Sequence, residues 1–91
     1  MDRVAAVDIG TNTFRLLIAE RGKRSLFVPI MKGREVVRLG EGYHVSSRIG
    51  KKAITRGINT LTFFTEKMKE NEVTRYLAVA TGVVRQAANA S

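Results

Sequence analysis

Val4–Ala5–Ala6–Val7–Asp8–Ile9–Gly10–Thr11–Asn12–Thr13–Phe14–Arg15–Leu16–Leu17–Ile18 is an apolar run that ends in one carboxylate, then a tight polar turn, then a second apolar run with one arginine near its start. Two strands joined by a turn of this composition form a hairpin, because Gly and Asn tolerate a left-handed backbone and Thr bonds to its own backbone. The tip of such a hairpin offers backbone N–H groups and hydroxyls beside the carboxylate of Asp8. That is the chemistry needed to hold a phosphate and its magnesium ion. The same residues also suit an ordinary turn, where an Asp at a strand end is common. The phosphate reading gains from the position of Asp8. It falls in the apolar register of a strand that reads as buried on both faces, where an unpaired carboxylate is costly.

Outward from this hairpin, the pattern gives strand, strand, strand, helix, strand and the start of a helix. Strand one is expected over Arg3–Ile9 and strand two over Phe14–Glu20. The polar stretch Arg21–Gly22–Lys23–Arg24–Ser25 makes the second turn, and strand three spans Leu26–Lys32. Pro29 has no N–H for a ladder, so strand three should be an edge strand or bulged there. Glu35–Gly42 reads as an extended segment and a flexible turn, and Ser46 or Ser47 can cap the helix that follows. Ile54, Ile58, Leu61, Thr65 and Met68 recur at helical spacing, with Ala53, Gly57 and Phe64 alongside. They predict an amphipathic helix over Gly50–Asn71 with one face on the sheet. Tyr76–Thr81 is almost wholly apolar, as expected of a central strand parallel to a neighbour and covered on both faces. Gly82 opens a further helical pattern that reaches Ala90. The fold class is α/β: a mixed sheet in which an antiparallel meander is followed by a crossover helix and a parallel strand.

Composition narrows the function classes. The chain has 91 residues and is 44% hydrophobic, which suits one small packed domain. It has no cysteine, so disulfides and thiolate metal sites are excluded and a reducing compartment fits; the expectation is cytoplasmic. No stretch approaches the ~20 apolar residues of a membrane span. The net charge of +8 favours anionic partners. The basic residues are dispersed, and few aromatics are interleaved with them, so nucleic acid is not the expected partner. The densest basic group, Arg48, Lys51, Lys52 and Arg56, reads as a solvated helix face. His44 has no carboxylate neighbours in sequence and makes neither a catalytic triad nor a metal site. Tyr43 and Tyr76 are expected to be packing residues. Arg34 and Arg38 either extend a polyanion path or are surface residues.

Three segments together carry a family resemblance: Asp8–Leu16, Val37–Arg38–Leu39–Gly40–Glu41–Gly42, and Ala78–Val79–Ala80–Thr81–Gly82–Val83–Val84–Arg85–Gln86–Ala87–Ala88–Asn89. In order and spacing they resemble the N-terminal part of the exopolyphosphatase / guanosine pentaphosphate phosphohydrolase family. The first segment is shared with actin-like ATPases and sugar kinases; the other two are more particular. The resemblance implies a ribonuclease-H-like, actin-like ATPase lobe, with the meander in strand order 3-2-1 and strand four beside strand one. It implies phosphate binding by Gly10, Thr11, Asn12, Thr13 and Arg15, with supporting roles for Arg38 and Arg85. Asp8 would face Mg²⁺ or its water shell. Gly82 stands where the family more often has Ser, so a hydroxyl contact from that position is lost.

The substrates implied are inorganic polyphosphate and guanosine pentaphosphate. The family's general-base glutamate, in a Gly-x-Glu-Glu context, and its second phosphate loop, Asp-Ile-Gly-Gly-Gly, are expected downstream of these residues. Residues 1–91 are therefore expected to be a partial N-terminal lobe, inactive alone, that self-associates through an open sheet edge at strand four. Other readings remain: a piece of a sugar or acetate kinase or an actin-like ATPase, against which Val37–Gly42 argues; a basic polyanion-binding module; and a lobe with no activity.

Overall fold

Residues of β1 (Arg3–Ile9) alternate between buried and exposed, which is the signature of a strand covered on one face only. The computed structural model describes residues 2–41 and 48–80, the side chain of Ser25 excepted. β1 pairs antiparallel with β2 (Thr13–Arg21), and β2 pairs antiparallel with β3 (Phe27–Val36). A single 3₁₀ turn, Lys23–Ser25, joins β2 to β3. The helix α1 (Lys51–Glu70) then carries the chain across the sheet to β4 (Arg75–Ala80), which lies parallel to β1. The strand order is β3-β2-β1-β4, the mixed α/β sheet expected. β2 and β3 run longer than predicted: β3 continues through Gly33–Val36 and so takes in the start of the segment read from sequence as extended.

Pro29 is both at an edge and at a bulge. Ile18 pairs with Met31 and Ala19 with Pro29, so Ile30 is the extra residue in β3. The missing N–H of Pro29 is accommodated where the ladder is already interrupted.

The core lies between α1 and one face of β1 and β2. Ala5, Val7, Phe14, Leu16, Ile18, Val37, Leu39, Ala53 and Phe64 form it, with Leu61, Met68 and Met31 packed against them. Gly57 lets the helix backbone approach the core: an added Cβ would stand 3.4 Å from both Leu39 Cδ2 and Phe14 Cζ. This small-residue contact corrects the predicted helix face. Ala53, Gly57 and Phe64 are the buried positions, and Thr65 and Ile54 are exposed, with Ile58 58% exposed. The small residues bring the backbone down onto the sheet, and the large aliphatics beside them lie on the flank. The N-cap is Gly50, which makes no side-chain cap bond; Ser46 and Ser47 lie outside the described residues. At the other end Asn71 caps, Glu72 turns left-handed (φ 56°), and Val73 N–H donates back to the Met68 carbonyl at 3.0 Å. That six-residue bond is the Schellman pattern. Arg3 ties this corner together: Nε donates to Glu20 Oε1 at 3.2 Å and Nη1 to the Asn71 carbonyl at 3.0 Å.

β4 takes its predicted place parallel to β1, but its coverage differs from that expected. Among the described residues it pairs with β1 alone, and it is not covered on both faces. Tyr76 is 67% and Leu77 65% exposed, so Tyr76 is not a packing residue. Between α1 and β4 lies a groove of about 270 Å³ lined by Leu61, Met68, Tyr76 and Ala78. Tyr43, His44, Thr81, Gly82 and the helical pattern after it lie outside the described residues. No helix among the described residues is long and apolar enough to cross a membrane.

Candidate phosphate-binding site

The β1–β2 hairpin closes where expected. Ile9 pairs with Phe14, and Gly10 N–H donates to the Thr13 carbonyl at 3.2 Å. Gly10 is required there: a Cβ would stand 2.7 Å from the Thr13 carbonyl oxygen. Asn12 is exposed, Thr11 half-buried, and Thr13 buried at the start of β2.

The tip is held from outside by the segment after β3. Val37 and Arg38 N–H groups both donate to the Asn12 carbonyl, at 2.8 and 2.9 Å, and Gly40 N–H donates to the Thr11 carbonyl at 3.2 Å. In a trans peptide the N–H points opposite the C=O. Fixing the Thr11 carbonyl on Gly40 therefore turns the Asn12 N–H to the other side of the loop. The Val37–Glu41 segment is thus the splint of the hairpin tip, which gives a physical reason for the two motifs to occur together. Arg38 makes the bend with a left-handed backbone, φ 56°.

Asp8 is not where its burial argument placed it. Its strand is covered on one face only, and Asp8 is exposed on the open face. There it sits in register between Arg15 of β2 and Val79 of β4, and Arg15 in turn faces Arg34 of β3. Asp8, Arg15, Lys32 and Arg34 rim a concavity of about 700 Å³ whose floor includes Ala6, Leu17, Leu77 and Val79. A second concavity of about 350 Å³ is lined by Thr11, Asn12, Arg38, Gly40 and Glu41. The expected site residues are therefore divided. Asp8 and Arg15 share the open face, Thr11, Asn12 and Arg38 share the hairpin tip, and Gly10 and Thr13 form the turn between. Arg85 lies outside the described residues.

Arg56 was missed from sequence, where it reads as part of a solvated basic face. It is half-buried, with Nε donating to the Val37 carbonyl at 2.8 Å and Nη2 to the Arg38 carbonyl at 3.2 Å. Its place next to Gly57 and one turn after Ala53, on the border of the buried stripe, was the available signal.

Among the described residues no cluster of three acidic or imidazole groups is built to hold a metal ion. Mg²⁺ does not need one, because it is commonly held by one or two carboxylates, waters and the substrate's phosphates. A single exposed carboxylate beside a hairpin tip with hydroxyls fits that donor set.

Residues 17–91 match the model of the Ppx/GppA phosphatase family. The chain belongs to that family. It is 36% identical to exopolyphosphatase 2 of Mycobacterium tuberculosis over 98% of its own length and 29% of that protein's. It superposes on the crystal structure of the Aquifex aeolicus Ppx/GppA phosphatase (type II variant) with a TM-score of 0.93 and 32% identity, over 99% of this chain and 30% of that one. An exopolyphosphatase from Cytophaga hutchinsonii gives a TM-score of 0.91 and 31% identity, over 97% and 28% of the two chains. The chain thus spans about three-tenths of the length of these relatives. The sheet order and the crossover helix are those of the ribonuclease-H-like, actin-like ATPase lobe of this family.

Proposed function

We propose that this chain supplies the first phosphate-binding element of a Mg²⁺-dependent phosphohydrolase that releases terminal phosphate from inorganic polyphosphate, guanosine pentaphosphate or both. One observation carries the reading. At the hairpin tip the Thr11 and Asn12 carbonyls are fixed from one side by Val37–Gly40, which turns the Asn12 amide to the other. Such a preset amide binds an anion without reorganising, as backbone nests do. Arg15 adds positive charge directly across from Arg34 on the neighbouring strand, and Arg38 adds it at the tip.

Asp8, with its waters, is the residue that would hold Mg²⁺, and the ion when bound would neutralise charge on the phosphate oxygens. The chain's own residues bind and orient the polyanion. Gly10 closes the turn, Asn12 offers its outward amide with Thr11 and Thr13 flanking it, and Arg15 and Arg38 offset phosphate charge, with Arg85 assigned a positioning role. Water activation needs a general base. Glu41 is paired with Arg56 at 3.3 Å and Glu20 with Arg3 at 3.2 Å, so neither suits the task. We assign the base and the second phosphate loop to residues outside this chain, and residues 1–91 alone to binding without turnover. The setting assigned is the cytoplasm, with which the absence of cysteine agrees.

The test is a titration of the ¹⁵N-labelled chain with tripolyphosphate and magnesium chloride, alongside a phosphate-release assay. The expected result is saturable shifts at Gly10–Thr13 and Arg15 with no release above background. Losing a general base alone removes about 10²–10⁴ in rate. Shifts elsewhere only would remove the phosphate loop from the proposal, and release at enzymatic rates would mean that the base lies within these residues.

A further inference from the structure

The segment that splints the hairpin tip is itself gripped from its far side. Its Val37, Arg38 and Gly40 amides are spent on the hairpin, at Asn12 and Thr11. Two of its carbonyls, Val37 and Arg38, accept from one side chain, Arg56 of α1, which also pairs through Nη2 with Glu41 Oε1 at 3.3 Å; the Arg38 carbonyl shares a second donor, the Glu41 N–H at 3.1 Å, which closes the bend locally. Between the two grips Arg38 holds a left-handed backbone, which an L-residue with a long side chain disfavours unless its surroundings enforce it.

We propose that Arg56 is a positioning residue for the phosphate loop. Its guanidinium holds Arg38 in the left-handed bend, the bend keeps the Val37, Arg38 and Gly40 amides on the hairpin carbonyls, and the hairpin thereby presents the Asn12 N–H outward. The fork matters as well as the charge. Nε and Nη2 reach two successive carbonyls at once, which the single ammonium of a lysine does not reproduce. The link to anion binding rests on the phosphate reading of the hairpin; the grip on the segment does not.

The experiment compares the wild-type chain with Arg56→Lys, Arg56→Met and Glu41→Gln. It measures amide hydrogen exchange residue by residue and titrates each protein with tripolyphosphate in magnesium chloride. In Arg56→Lys we expect exchange at Val37, Arg38 and Gly40 to speed up by ~10-fold or more, the usual weight of hydrogen bonds from a charged donor. The β1–β2 ladder should keep its protection, and the tripolyphosphate affinity should fall by about fivefold or more. Glu41→Gln, which leaves both carbonyl bonds in place, should change the affinity less than Arg56→Lys. If Arg56→Met loses ladder protection as well, it has failed to fold, and Arg56→Lys decides. Unchanged exchange at the three amides in Arg56→Lys overturns the proposal. Faster exchange with unchanged affinity overturns the link to the loop. A wild-type chain that binds no tripolyphosphate overturns the phosphate reading, and the exchange data then decide the grip alone.

Discussion

The two faces of the sheet are written by alternate residues of the same strands, and they differ in kind. Ala5 and Val7 of β1, with Phe14, Leu16 and Ile18 of β2, face α1 and are buried. Ala6, Asp8, Arg15 and Leu17, one position along in each case, face the open side. On the covered face shape decides, because close packing punishes both voids and excess volume. On the open face charge is tolerated, and it is arranged in a way that stability does not explain. Arg15 and Arg34 are directly opposed in register, an unfavourable pairing for like charges. Among the described residues Asp8 is the one acid lining that concavity. The covered face accounts for the fold, and the open face with the hairpin tip is where function has room.

The largest expected effect tests that division directly. Phe64→Ala removes a ring that is 1% exposed, and Phe14→Ala a ring equally buried. Each should cost ~3–5 kcal/mol, a large share of the stability of a domain this size. Leu77→Ala, on the open face and 65% exposed, should change stability by less than about 1 kcal/mol. Urea unfolding followed by circular dichroism measures all three. A Leu77 cost equal to that of Phe64 would mean that the open face is covered after all.

This asymmetry also explains what could be read from the sequence. β1 was legible to the residue, because apolar strand and polar turn meet sharply at Ile9–Gly10. The edge position and bulge of β3 were legible from Pro29, since a missing N–H has few places in a sheet. The exposure of Asp8 was not. Val4–Val7 is apolar at every position, so β1 reads as buried on both faces, whereas Ala6 and Asp8 lie on the open face. The helix register was misjudged because Ile54 and Ile58 outweigh Ala53 and Gly57 on any hydropathy count, while close backbone approach favours the small pair. The role of Arg56 was hidden because a long cation on a helix ordinarily lies in water, and its carbonyl partners come from a non-helical segment 18 and 19 residues earlier.

Asp8→Asn sharpens the functional half of the comparison. The residue is exposed and makes no ion pair among the described residues, so stability should change by less than about 0.5 kcal/mol. In magnesium chloride, tripolyphosphate affinity should drop by about tenfold, the weight of one charge-assisted contact to the ion and its waters. In a chelator the sign reverses. With no cation to hold, removing a carboxylate beside Arg15 should leave affinity unchanged or higher. Isothermal titration in both buffers separates the two, and an equal drop in both would assign Asp8 to the turn rather than to the ion.

A smaller effect concerns the rim where the two faces meet at β4. Among the described residues this strand has a free side, and Tyr76, Leu77 and Val79 are exposed along it. An open apolar edge pairs with another copy, and the charge of +8 opposes this at low ionic strength. Light scattering should show a larger species that grows as salt shortens the screening length toward ~8–10 Å. Val79→Lys should reduce it, since lysine on an edge strand blunts such pairing. A strictly monomeric wild-type chain at high concentration and moderate salt would show that β4 is capped by other means.

The smallest expected change is a gain, at a position far from either concavity. Glu72 occupies the residue after the cap of α1 with φ 56°, the place where a helix closed by a six-residue bond usually has glycine. A left-handed backbone is strained for glutamate and unstrained for glycine, although glycine also gives the unfolded chain more freedom. The difference favours Glu72→Gly by about 0.5–1 kcal/mol. Arg38 has the same left-handed backbone, but the two sites separate in function. Glu72→Gly should raise the urea midpoint and leave tripolyphosphate affinity as it was. Arg38→Gly should relieve the same strain yet lose affinity, because it removes a cation that lines the hairpin concavity. Measuring both properties for both variants distinguishes a strained residue kept for its charge from one whose side chain the fold does not use, and equal affinity in the two would take Arg38 out of the site.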